Sequence, residues 1–208
     1  MEKNRFVQTA EYHTHTFYSD GKGTMEQNVQ MARKIGLKTI GISDHGYRHM
    51  GFGVKYKDYP KMKEEILRLR EKYPDIEILL GVEANILDDS GEIDVDDFIL
   101  QYVDYVMAGY HFGSAITKMR GLRNHICNYI KPLKNLEIEY NTRALVNAMR
   151  RNNLFILTHP GDKGGIDTLE VAKVAKETDT ILEINTHHPN LSVEQLKLIQ
   201  DMDMKYSV

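Results

Sequence analysis

From Ala10 to Val208 the chain repeats one alternation: a short apolar run, a polar turn, then an amphipathic stretch of helical period. Seven runs read as strands, around Ala10–Thr14, Thr39–Ser43, Ile76–Val82, Tyr105–Gly109, Leu154–Leu157, Thr180–Ile184 and Met204–Val208. Strands separated by helices pair in parallel, with the helices as crossovers, so the fold class is α/β. Thr24 with Gln27, and Ser192 with Gln195, have capping-box spacing. Gly36 suits a helix end, and Pro60 suits a first helical turn. The stripes Val29–Ala32–Ile35, Ile66–Leu69 and Leu145–Ala148–Met149 are expected to face the core, and Asp94 to cap a helix bearing Phe98, Ile99 and Tyr102. Residues 46–59, a loop, and 112–139, an insertion with one or two helical pieces, break the regular alternation.

Ligand-type side chains follow five of the runs. His13 and His15 lie two apart at the first, so they project to one side, and a turn brings Asp20 back towards them. His45 follows the second run, Glu83 the third, His111 the fourth and His159 the fifth. An open doubly wound sheet gathers such residues at a switch point, whereas a closed or nearly closed barrel gathers them from many strand ends. Five contributing strands favour the barrel.

Five imidazoles and two carboxylates suit Zn, Mn or Fe. Seven ligands exceed the needs of one tetrahedral ion, so two to three divalent ions are expected, with Glu83 placed to bridge a pair. Ions so paired hold a bridging hydroxide and clamp substrate oxygens, a chemistry matched to phosphoester hydrolysis. Lys118, Arg120, Arg123 and Lys163 follow strands four and five and are candidates to meet a phosphate. His49 reads as a loop residue placed to approach substrate, and His187 and His188 follow strand six, so at least one of them points near the mouth of the site. His125 reads as solvated or structural, and Cys127 as a small buried residue.

The remaining composition narrows the function. The 208 residues suit one domain, residues 1–208, with 41% hydrophobic and 27% charged side chains. A net charge of −3 offers no electrostatic case for nucleic-acid binding. A single cysteine fits a reducing compartment, and Met1–Ala10 has no apolar signal core. A cytoplasmic protein acting on a small phosphorylated substrate, with no membrane span, is expected.

The motifs His13-Thr14-His15, Ser19-Asp20-Gly21, Ser43-Asp44-His45, Gly81-Val82-Glu83, His111 and Thr158-His159-Pro160 resemble, in order, those of the PHP (polymerase and histidinol phosphatase) family. The resemblance implies a distorted seven-stranded (β/α) barrel and a site for up to three ions. By that likeness, His13, His15 and Glu83 serve one ion, Glu83, His111 and His159 a second, and Asp20 and His45 a third. It implies a stand-alone phosphatase or phosphoesterase, a phosphoric monoester hydrolase of the histidinol-phosphatase-like type. The family's final Asp-x-His has no counterpart after His188, so a truncation that also lacks the last barrel helix is expected. Two other readings are compatible with these residues: an amidohydrolase-like C–N hydrolase, disfavoured because His111 stands where that group typically has lysine, and a non-catalytic metal-binding accessory module.

Overall fold

The computed structural model describes residues 7–185 and 191–208; His187 and His188 lie outside the described residues. Seven strands form one all-parallel sheet in chain order: β1 (Ala10–Glu11), β2 (Thr39–Ile42), β3 (Glu77–Asn85), β4 (Tyr105–Gly109), β5 (Ile156–Leu157), β6 (Ile181–Glu183) and β7 (Tyr206–Ser207). Each strand pairs only with its sequence neighbours, and among the described residues β1 and β7 do not pair. The sheet is nonetheless strongly curled. Neighbouring strands lie roughly 4.8 Å apart, so in a flat sheet β1 and β6 would be about 24 Å apart. Instead, His13 just beyond β1 touches Glu183 of β6 at 2.6 Å. The architecture is a curled half-barrel of the expected seven-stranded (β/α) type, open between its first and last strands.

Helices cover the convex face: α1 (Met25–Ile35), α2 (Tyr59–Lys72), α3 (Asp97–Leu100), α4 (Met119–Tyr129), α5 (Ile138–Arg151), α6 (Thr168–Glu177) and α7 (Val193–Ile199). Both capping boxes form, at Thr24 and Ser192, and Gly36 closes α1 in the left-handed region at φ 89°. Alternation along β3 explains the two layers. Ile78, Leu80, Val82 and Ala84 are buried and belong to the main core cluster, with Met62, Ile66 and Leu69 of α2. Full burial of each large aliphatic side chain contributes roughly 1.5–3 kcal/mol. Gly81, Glu83 and Asn85 take the other face, inside the barrel.

The interior beneath the site is aromatic. Tyr105 packs edge-on to Tyr12 and Phe155, with ring centroids 6.1 and 5.5 Å away. Its hydroxyl donates to the Tyr12 carbonyl at 2.5 Å. Gly81 makes room for this ring: a Cβ there would lie 2.3 Å from Tyr105 Cζ.

Two local expectations are corrected. Ile35 is 63% exposed, and Met25 joins Val29 and Ala32 on the buried side of α1. The cap of α3 is Asp96, whose side chain accepts from Ile99 N. Asp94, expected in that role, is buried behind the site, because its carboxylate is taken by the backbone and side chain of Asn85.

Candidate metal centre

The curl brings the strand ends to one mouth. His13, His111 and His159 each stand two residues beyond the last residue of β1, β4 and β5. His45 extends the β2 ladder by an isolated parallel bridge to Glu83. The Thr16–Gly21 turn is fixed by Asp44, which accepts from Thr16 N at 2.7 Å, Thr16 Oγ1 at 2.7 Å and Ser19 Oγ at 2.6 Å. That turn returns Asp20 to His15, with Nδ1–Oδ1 at 2.6 Å.

Glu83 is the hub. Its side chain is 1% exposed, and five imidazole nitrogens surround its two oxygens. His13 Nε2, His111 Nε2 and His159 Nε2 lie 3.3, 3.1 and 3.0 Å from Oε1. His15 Nε2 and His45 Nδ1 lie 3.3 and 3.0 Å from Oε2. His111 and His159 also face each other, Nε2 to Nε2, at 3.2 Å. Asp20 sits further out, 37% exposed, with Oδ2 3.7 Å from His45 Nε2. All seven residues picked from the sequence therefore meet at one mouth, with Asp20 at its rim.

The outer hydrogen bonds determine which nitrogen faces inward. Asn85 gives its amide nitrogen to Asp94 Oδ2 at 2.6 Å, so its carbonyl oxygen faces His111 Nδ1 at 3.0 Å. An oxygen there requires His111 to donate from Nδ1, which leaves Nε2 a bare lone pair towards Glu83. His15 is set the same way by Asp20, and His13 by Glu183 at 2.6 Å. Lone pairs thus point at a carboxylate, an arrangement that is repulsive unless a proton or a cation lies between them. Buried His15 Nε2, His45 Nδ1 and Glu83 Oε2 make no hydrogen bond among the described residues. A divalent cation satisfies all three kinds of atom, and the donor set suits one. Three overlapping groups have donor atoms within 4.8 Å of one another: His13–His15–Glu83, His15–Asp20–His45 and His45–Glu83–His111.

Without metal, protons take that place at His13 and His15. Burial disfavours charge on His13, but Glu83 and Glu183 outweigh it and hold its pKa well above the usual value. Burial likewise opposes charge on His15, yet Asp20 and Glu83 raise it to about 9. Burial works against ionisation of Glu83, but His13 and His111 keep its carboxyl well below the ordinary range. For His111, burial prevails over Glu83 and lowers the pKa to about 3.

The cleft above Glu83 holds about 510 Å³ and is walled by His49, Phe52, Phe112 and Lys163 as well as the ligand set. His49 stacks on His45 with ring centroids 5.1 Å apart. Of the four cations expected near a phosphate, only Lys163 lines this cleft, and it pairs with Asp162 at 2.5 Å. The others are held by acids elsewhere: Arg120 and Arg123 by the buried Glu137, and Lys118 by Asp88. His125 hydrogen-bonds Tyr110 Oη at 2.6 Å, and Cys127 is buried, both structural as expected. Glu183 and Asn85 were not anticipated as part of the site. Glu183 ends an apolar run, the same signal that marks Glu83, and that rule applied to the sixth strand finds it.

A model of the PHP domain family matches residues 11–187. A probable phosphatase of Clostridium acetobutylicum is 33% identical over 181 residues, covering 83% of this chain and 62% of that protein. One from Caldanaerobacter subterraneus is 34% identical over 175 residues, covering 83% and 60%. The chain thus spans 60 to 62% of the length of these curated relatives. Among solved structures, histidinol phosphate phosphatase from Lactococcus lactis, complexed with zinc, L-histidinol and phosphate, superimposes with a TM-score of 0.53 at 17% identity, covering 86% of this chain and 73% of that one. A putative histidinol phosphatase from Listeria monocytogenes gives 0.58 at 15% identity, covering 95% and 92%. At such identities the likeness is one of fold. No helix among the described residues is long and apolar enough to cross a membrane.

Proposed function

This chain belongs to the PHP domain family, and from that membership we propose that it is a metal-dependent phosphatase acting on a small phosphomonoester. The observation that carries the proposal is the convergence of five imidazole nitrogens, within 3.3 Å, on the two oxygens of buried Glu83. We assign His13, His15, Asp20, His45, Glu83, His111 and His159 as the ligands of two to three divalent ions, Zn, Mn or Fe. Such ions, when bound, supply Lewis acidity and a water that ionises near neutral pH.

The residues themselves do the rest. Glu83 offers one oxygen to each half of the ligand set and so holds the halves in register. When neutral, His111 and His15 carry their proton on the Nδ1 that faces Asn85 and Asp20, which leaves Nε2 as the nitrogen open to a cation. Lys163 and His49 line the path by which a phosphoryl group would enter. A phosphate is favoured there because its transition state spreads negative charge over oxygens that a cationic floor stabilises. The zinc, L-histidinol and phosphate of the Lactococcus lactis neighbour support this substrate class.

The test is turnover of p-nitrophenyl phosphate, beside a panel of amides, with added Mn or Zn. Phosphate release that a chelator stops and His13→Ala abolishes is expected. Amide turnover without phosphatase activity would replace the proposal with a C–N hydrolase, and metal uptake without either would leave an accessory module.

A further inference from the structure

We propose that Glu183, at the end of β6, is the positioning residue of the centre: it selects the proton-bearing nitrogen of His13 and clamps the strained backbone of His159. This rests on the metal-centre reading above. The two carboxylate oxygens have separate tasks. Oε1 lies 2.6 Å from His13 Nδ1, and Oε2 accepts from His159 N at 2.7 Å. The carboxylate is buried, at 6% exposure.

Two further observations point the same way. His159 has φ 29°, in the left-handed region, which few non-glycine residues adopt and which costs backbone strain. Glu183 accepts from the amide of this same residue. The second is topological. β1 and β6 share no ladder, so the His13–Glu183 contact ties ligands of β1 and β5 together across the interior of an open sheet. A carboxylate on the outer nitrogen of a metal-binding histidine fixes its tautomer and raises its basicity, and removal of such a partner typically lowers metal affinity roughly 10- to 100-fold.

Glu183→Gln separates the two tasks. The amide oxygen can still accept from His159 N, but its NH₂ group then faces His13 Nδ1. That nitrogen must accept, and its proton moves to Nε2, the nitrogen that faces Glu83. Zinc and manganese titrations by calorimetry on the wild type and the variant are expected to show one ion bound roughly 10- to 100-fold more weakly. Ring-nitrogen NMR is expected to show a far-downfield His13 Nδ1 proton in the wild type that disappears in E183Q. Equal metal affinity in the two proteins would overturn the role of Glu183 alone. Failure of the wild type to take up either metal would instead overturn the metal-centre reading, and this inference with it. Should E183Q not fold, the wild-type spectrum still decides, because a His13 without that Nδ1 proton refutes the proposal.

Discussion

Removing metal and raising the pH should destabilise this protein by an amount fixed at His15. The folded pKa of His15 is about 9 against an ordinary 6.5; burial opposes the shift, and Asp20 and Glu83 drive it. A histidine raised on folding stabilises the fold fully below pH 6.5 and loses that contribution as pH climbs through 9. At 1.36 kcal/mol per pKa unit, the difference is about 3 kcal/mol, a large share of a typical stability of about 5–15 kcal/mol. His13 shifts in the same direction. The carboxylate shifts of Asp20 and Glu83 describe the same contacts and are not added again. For a chain of this size, the melting temperature should fall by roughly 6 to 12 °C between about pH 6 and pH 9.5. The assay is thermal unfolding of chelator-treated protein across that range, with His15→Asn as control. Saturating zinc should reverse the trend, because metal binding competes with these protons and strengthens as they leave. A metal-free melting temperature that is flat from pH 6 to 9.5, or that falls equally in the His15 variant, would refute the assignment of Glu83 and Asp20 as the partners of a charged His15.

Two further substitutions test the hub and its floor. Glu83→Gln removes the anion that all five imidazoles face. It should reduce bound metal by at least one ion per chain by elemental analysis, and flatten the metal-free pH dependence. Gly81→Ala places a Cβ 2.3 Å from Tyr105 Cζ, an overpacking expected to cost about 1–3 kcal/mol in urea unfolding; Tyr105→Leu in the same chain should recover most of it.

The strand–helix alternation and the residues of the proposed ligand set were legible for one reason. Apart from Asp20, which lies in a turn, each of these residues interrupts or follows an apolar run, and parallel strands put their ends on one face. Hidden features depend on contacts between distant segments. Asp94 looks like a helix cap because it precedes an amphipathic stretch, but the fold places Asn85 against it. Arg120 and Arg123 look like free loop cations, yet the insertion folds them onto Glu137. Glu183 carried the right signal, but at the sequence level a glutamate after Ile-Leu also reads as the solvent-facing end of a strand. Only the curl of the sheet, which sets β6 opposite β1, distinguishes the two.

The strictly sequential strand order also bears on biosynthesis. His13, His15, His45 and Glu83 all emerge from the ribosome before His111 and His159 have been made. They sit on or just beyond β1, β2 and β3, three adjacent strands whose ladders need nothing from later in the chain. Synthesis adds about 5–20 residues per second. The N-terminal half of the cluster, hub included, is therefore synthesised seconds before the rest.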